Sequence, residues 1–343
     1  MLKMINPKDT DTVGITAIAS YIPKGILTAE EMSHKSGIPC EVLKDKIGIH
    51  EKHIANDKET PSFMGAAAAQ SVLANTGLAA KDIDIILYAA GGFYDYHLWS
   101  PASKIQSIIG AKNASCFEIR NGCNAGNLGL HICKRLLLNS PHQHALVICS
   151  EGLSKTINYT DQNTSSLFIV GDGAVAALLS KNDQHNKILN YASMTEGSLS
   201  DEIKVLGGGT VNFSDQKWYD NSLNYAHIQD PIHLAHIFDK IYLENYVKVV
   251  KQSLTEIGYD TTNINYLFTN QVKRSLSDSI LSALNLREEQ TIKTLKNYGH
   301  MGTVDTLFCL ELALNKGMIK KDDLVLLASS AAGFTWASLV IHY

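Results

Sequence analysis

The chain has 343 residues, 45% apolar and 19% charged, enough material for a large buried core. Its formal charge of −4 provides no global basic field, which argues against nucleic acid as a partner. The opening MLKMINPKDTDTVG is too charged for a secretory leader, and no apolar run reaches the roughly 20 residues of a membrane span, so the expected location is the cytoplasm.

The predicted elements, taken in chain order, occur twice. TGLAAKDIDIILYAAGG carries an apolar strand over 83–89, SKIQSIIGAKN reads as a helix, and a short strand runs into IRNGCNAGNLGLHICKRLLLN, a glycine-bearing turn opening a helix. HALVICSEG then carries a buried strand over 145–149. A connecting segment at about 181–239 is expected to be irregular: Gly207, Gly208 and Gly209 mark a loop, and no Walker lysine accompanies them. After it the same order returns. IGYDTTNINYLFTNQ has a strand over 264–268, SDSILSALNL and a short strand follow, LKNYGHMGTVDTLFCLELALNKG is again a glycine turn into a helix, and DDLVLLASSAAG has a strand over 324–328. Strands alternating with helices predict an α/β protein of two βα halves, 1–184 and 185–343, related by a pseudo-twofold axis, with a sheet covered on both faces.

Aligning the turns pairs Gly122 with Gly299 and Cys123 with His300, so a nucleophile and a base hold equivalent places that the pseudo-twofold brings toward one cleft. A cysteine at a helix start has its thiolate favoured by the helix dipole and by free N–H groups, which can also hold the oxyanion formed when sulfur attacks a thioester. The other reading of Cys123, a small buried residue, applies better to Cys116, Cys133, Cys149 and Cys309, which are flanked by apolar residues. With Cys40 these are expected to be reduced thiols; no CxxC or His/Cys cluster has zinc spacing, and neither metal nor cofactor is expected. His300 is expected to act as base and acid. Asp305, five residues on along the same predicted helix, can orient the imidazole or be an ordinary polar helix residue.

Over nearly its whole length the chain resembles the ketoacyl-ACP synthase III family: IASYIPKGILTAEEM, IGIHEKHIA, IQSIIGAKNASCFEIRNGCNAG, TDQNTSSLFIVGDGAVAALLS and GMIKKDDLVLLASSAAGFTWASLVIHY carry the likeness. The resemblance implies a thiolase fold in α-β-α-β-α layers, a homodimer, an acyl-enzyme on Cys123, and an oxyanion hole from the N–H groups of Cys123 and Ala332. It departs from the family first in a pair of site residues. Asn270, in TNQVK, stands where the family has its histidine, and His300, in GHMGT, stands where it has an asparagine. The exchange implies acyl transfer to a non-malonyl nucleophile (hydroxyl, amine, thiol or carbon), with decarboxylating carbon–carbon bond formation as the alternative. A non-catalytic partner subunit of a ketosynthase heterodimer is a second alternative, disfavoured because Cys123 is kept. The family's adenine-clasping tryptophan and arginine align near Val42 and Gln162, and Ile169 and Val170 look inserted before GDGA. Neither replacement stacks on a purine, so an acyl carrier protein is favoured over CoA as donor, docking on cations such as Lys273 and Arg274. Asp172 reads as a turn residue. Phe93, Tyr94, Tyr96, His97, Leu98 and Trp99 mark either an acyl pocket at the dimer mouth or plain interface packing. The acceptor is expected to be a small molecule.

Overall fold

The computed structural model describes residues 12–212 and 223–343. Thirteen strands occur among them: β1 (Val13–Tyr21), β2 (Gly25–Thr28), β3 (Glu51–Ile54), β4 (Ile85–Ala90), β5 (Ser115–Arg120), β6 (His144–Gly152) and β7 (Asp172–Lys181), then β8 (Lys187–Thr195), β9 (Ile203–Val205), β10 (Ala226–Ile228), β11 (Tyr266–Thr269), β12 (Leu324–Ala331) and β13 (Thr335–His342). Nine of them form one mixed sheet in the order β5-β4-β6-β7-β1-β8-β13-β12-β11; β2 pairs with β3, and β9 with β10. Outward from the centre, β1-β7-β6-β4 is matched by β8-β13-β12-β11, and the two runs meet at the single pair Gly14–Lys187. The pairs β4–β6 and β11–β12 are parallel, and β6–β7 and β12–β13 antiparallel, in matching places.

The apolar runs explain the layers. In β4, Ile85, Leu87 and Ala89 enter the central core, while Ile86, Tyr88 and Ala90 face an outer one. In β12, Val325 and Leu327 share the central core, and Leu324, Leu326 and Ala328 face another outer one. Because successive strand residues point to opposite faces, a strand buried on both must be apolar throughout. Helices Ala125–Leu138 and Asp305–Asn315 fill the centre. Helix Pro61–Thr76 covers one outer face, and helices Leu243–Thr255 and Arg274–Ala283 the other. The protein has the five-layered thiolase fold.

Three expectations need correction. The segment 181–239 is not irregular throughout: it contains all of β8, whose Tyr191 to Thr195 pair with Leu339 to Thr335 of β13. Part of that segment, 213–222, lies outside the described residues. The second copy lacks the short strand that would match β5. Its 291–294 stretch is tied down by hydroxyl and amide bonds instead, Thr291 Oγ1 donating to the Leu267 carbonyl and the Thr294 N–H to Gln271 Oε1. Cys116 is half-buried, on the sheet edge formed by β5.

Candidate active site

Cys123 sits in a single 3₁₀ turn, Gly122–Asn124, between β5 and helix Ala125–Leu138. Gly122 has φ +50°, and a Cβ there would lie 2.7 Å from Ala331 Cβ, so glycine is demanded twice over. This close approach lays the turn against Ala331 and Ala332 at the end of β12; the Ser329 hydroxyl donates to the Cys123 carbonyl at 3.1 Å.

His300 precedes its helix rather than lying on it. Its backbone forms a bridge with Val170, its N–H donating to the Ile169 carbonyl at 2.8 Å and its carbonyl accepting from the Gly171 N–H at 2.9 Å. Gly299, at φ +74°, lets the chain pass: a Cβ there would lie 2.5 Å from the Ile169 carbonyl oxygen. Ile169 and Val170 thus brace the histidine. Buried Lys52 braces them in turn, its ammonium donating to the carbonyls of Phe168 and Val170. Burial pulls the Lys52 pKa down to about 7, against the attraction of Asp172.

This placement brings His300 Nε2 to 3.2 Å from Cys123 Sγ. On the other side of the ring, Nδ1 lies 2.5 Å from Asp305 Oδ2. Asp305 is fully buried and opens helix Asp305–Asn315, where the helix dipole favours negative charge. Its Oδ1 accepts from the Met301 N–H at 2.8 Å, and its Oδ2 also accepts from the Gln271 N–H at 2.7 Å. The contact arises because the loop carrying His300 folds back over the helix start, not from helical periodicity. Burial alone pulls the His300 pKa down, but the Asp305 carboxylate and then the Cys123 thiolate outweigh it and set it well above the ordinary value. An imidazolium backed by the Asp305 carboxylate can protonate a leaving thiolate and, once neutral, take a proton back.

Asn270, at the end of β11, is buried and fully engaged. Its Oδ1 accepts from the Ser330 N–H at 3.2 Å and the Tyr246 hydroxyl at 3.1 Å. Its Nδ2 donates to the Ser330 carbonyl at 3.1 Å and to Ser330 Oγ at 3.2 Å. Both amide hydrogens are used inside the protein.

The other predicted positions lie around this centre. In the loop after β4, Asp95 accepts from the N–H and hydroxyl of Ser62, Tyr94 packs edge-on to Tyr88, and Phe93 and Trp99 are half-exposed. At the loop tip Tyr96, His97 and Leu98 are exposed. Gln162 donates its amide to the Ser36 carbonyl, and Val42 is exposed. Lys273 and Arg274 are exposed at the start of helix Arg274–Ala283. Asp172 fastens the chain through the N–H groups of Ala55 and Ser154. Burial raises the thiols of Cys116, Cys133, Cys149 and Cys309.

The sequence reading missed three groups. Glu151, fully buried in β6, accepts from the Gly91 N–H and the Thr303 hydroxyl through Oε1, while Oε2 has no hydrogen-bond partner among the described residues; burial lifts its pKa to about 7. Tyr242 bonds Ser330 Oγ, the third group. A lone carboxylate ending a run as apolar as HALVICSEG was the available signal for Glu151, and the i, i+4 spacing of Tyr242 and Tyr246 that for the tyrosine.

The layered sheet with a paired cysteine, histidine and carboxylate at its centre defines a thioester-dependent acyltransferase of the thiolase fold. The family model 3-oxoacyl-[acyl-carrier-protein (ACP)] synthase III matches residues 117–197, and the model of that family's C-terminal part matches 254–343. The chain belongs to the ketoacyl-ACP synthase III family. It is 28% identical over 328 residues to a beta-ketoacyl-[acyl-carrier-protein] synthase III of Sulfurovum sp., covering 95% of this chain and 94% of the relative. Among solved structures, the 3-oxoacyl-[acyl-carrier-protein] synthase III of Aquifex aeolicus superimposes with a TM-score of 0.85 at 22% identity, over 96% of this chain and all of the other. OleA of Xanthomonas campestris, in a cysteine-to-serine form solved with bound lauric acid and lauroyl-CoA, superimposes with a TM-score of 0.84 at 16% identity, over 97% and 99%. No described helix is long and apolar enough to cross a membrane.

Proposed function

We propose that the protein forms an acyl-thioester on Cys123 and passes the acyl group, without decarboxylation, to the hydroxyl, amine or thiol of a small molecule. The observation that carries this reading is the continuous contact from Cys123 Sγ through His300 to Asp305. In the first half-reaction the Cys123 thiolate attacks the donor carbonyl, the oxyanion is held by the N–H groups of Cys123 and Ala332, and protonated His300 gives its proton to the leaving thiolate. In the second, neutral His300 takes the proton of the acceptor as it attacks, and Cys123 leaves as thiolate with His300 again charged. Atoms and charge balance over the cycle. A malonyl enolate needs free donors where Asn270 stands, and both of its amide hydrogens are spent on Ser330, which weighs against condensation. Catalysis is favoured over a structural subunit because Cys123 keeps its histidine partner.

A carrier protein is the favoured donor. Gln162 is tied to the Ser36 carbonyl and Val42 presents no ring, so neither clasps an adenine; Lys273 and Arg274 offer exposed cations to an acidic carrier. The exposed apolar tip at Tyr96 and Leu98, near half-exposed β5, suits burial against a second copy in a homodimer, with Phe93 and Trp99 at the mouth of the acyl pocket.

Intact mass after incubation with acyl-carrier and acyl-CoA thioesters should show an adduct that is absent in Cys123→Ala. Carbon dioxide release from malonyl thioester at a rate matching turnover, abolished by Asn270→Ala, overturns the non-decarboxylating reading.

A further inference from the structure

The two N–H groups of the proposed oxyanion hole belong to opposite halves of the chain. Cys123 lies in the turn before helix Ala125–Leu138, and Ala332 in the turn between β12 and β13. Neither N–H has an acceptor among the described residues. Two donors serve one developing oxyanion only when their separation is held closely, and here that separation is set between two elements far apart in sequence. On β12, Ser329 Oγ donates to the Cys123 carbonyl at 3.1 Å, and Ala331 lies against Gly122. On β13, the Thr335 carbonyl accepts from Asn124 Nδ2 at 3.0 Å.

The two hydrogen bonds straddle Ala332, one from the strand before its turn and one from the strand after, and both end on Cys123 and its neighbour. A bond to one strand alone leaves the turn free to pivot; the second removes that freedom. Phe334 and Glu196 exchange backbone bonds at 2.8 and 3.1 Å, which ties the far end of the same turn to the chain following β8. Asn124 does little else. It is fully buried, and its amide nitrogen must face Thr335, because a carbonyl can only accept. Its Oδ1 then has no hydrogen-bond partner among the described residues, and its side chain does not cap the helix it precedes. Burying an unpaired amide oxygen costs free energy that alanine there would avoid, so the bond to Thr335 is the one contribution this amide makes.

We propose that Asn124 is a positioning residue for the oxyanion hole: its bond to the Thr335 carbonyl, acting with the Ser329 bond to the Cys123 carbonyl, fixes the separation of the Cys123 and Ala332 N–H groups. Asn124 touches no substrate and moves no proton in this role. The inference rests on the reading of Cys123 as nucleophile and of these two N–H groups as the hole, not on the identity of the acceptor.

Two reactions at the same sulfur separate this role from a merely structural one. Attack on a thioester builds a tetrahedral oxyanion, whereas alkylation by iodoacetamide displaces iodide and builds none. Full-length protein is reacted at a single pH with acetyl, hexanoyl and lauroyl thioesters of CoA and of acyl carrier protein, and separately with iodoacetamide, and modification of Cys123 is followed by mass spectrometry. With the donor that acylates wild type fastest, Asn124→Ala should lower the limiting acylation rate about 10- to 100-fold, part of the loss expected for deleting an oxyanion donor outright. The donor concentration giving half that rate, and the alkylation rate, should both stay within about twofold of wild type. Acylation at the wild-type rate overturns the proposal, and so do equal losses in acylation and alkylation, which mark a displaced nucleophile. Should Asn124→Ala fail to fold, Ser329→Ala, which removes the β12 bond alone, decides by the same comparison. Wild type that alkylates at Cys123 but forms no acyl adduct with any of these donors instead sinks the acyl-enzyme reading, which keeps the two failures apart.

Discussion

Replacing Asp305 with asparagine tests the core of the site with almost no change in shape. The native carboxylate serves three donors: His300 Nδ1 at 2.5 Å and the N–H groups of Gln271 and Met301 at 2.7 and 2.8 Å. An amide has one accepting oxygen. If that oxygen keeps Met301, the NH₂ group faces both the Gln271 N–H, a donor against a donor, and His300 Nδ1, which must then accept. That pairing puts the imidazole proton on Nε2, beside Cys123, so His300 can no longer take a proton from the acceptor. Acyl transfer should fall by about 10²- to 10⁴-fold, the range for losing a general base. The unsatisfied Gln271 N–H should cost about 1–3 kcal/mol of stability. The pH dependence has a definite sign. His300 is raised above its unfolded value, so its imidazolium contributes stability that is fully present below about pH 6.5 and lost as pH rises through the higher folded pKa. In Asp305→Asn that decline above neutrality should largely vanish. Single-turnover acylation and transfer, followed by intact mass, and melting temperature against pH provide the readouts. A variant that transfers within threefold of wild type, with the same pH–stability curve, would refute the reasoning.

Other substitutions probe the surroundings. Gly122→Ala must place a Cβ 2.7 Å from Ala331 in a left-handed backbone, and should lose about 2–4 kcal/mol in denaturant titration along with Cys123 acylation. Glu151 has its pKa raised to about 7, so its contribution to stability is present below about pH 4.5 and lost as pH rises through 7; Glu151→Gln should flatten that decline, on the order of 1–3 kcal/mol, in melts across pH 4 to 8. Charge reversal at Lys273 and Arg274 should raise KM for carrier-borne donors several-fold while leaving pantetheine thioesters unaffected, and equal KM values for both donors count against carrier docking there.

The layered fold was legible because strands buried on both faces must be written as apolar runs, and β4, β6 and β12 are. The approach of Cys123 to His300 was legible because a duplicated topology puts equivalent turns face to face. What escaped depended on contacts distant in sequence. That His300 precedes its helix follows from a bridge to Val170, and no local propensity encodes a backbone pairing across 130 residues of chain. β8 was hidden because KILNYASMT is mostly half-buried, with only Ile188 and Ala192 fully inside, unlike the continuous apolar runs elsewhere. Tyr242, Ser330 and Glu151 are polar groups in apolar settings, and their partners come from elements distant in sequence, which no local pattern reveals.

The bond between Cys123 and His300 spans 177 positions of the chain. During synthesis at about 5–20 residues per second, the thiol emerges roughly 10–35 s before its base does. Through that interval the sulfur lacks its histidine partner. On the proposed mechanism, splitting the pair between the two halves of the chain makes acyl transfer wait until β12 has packed against the turn that carries Cys123.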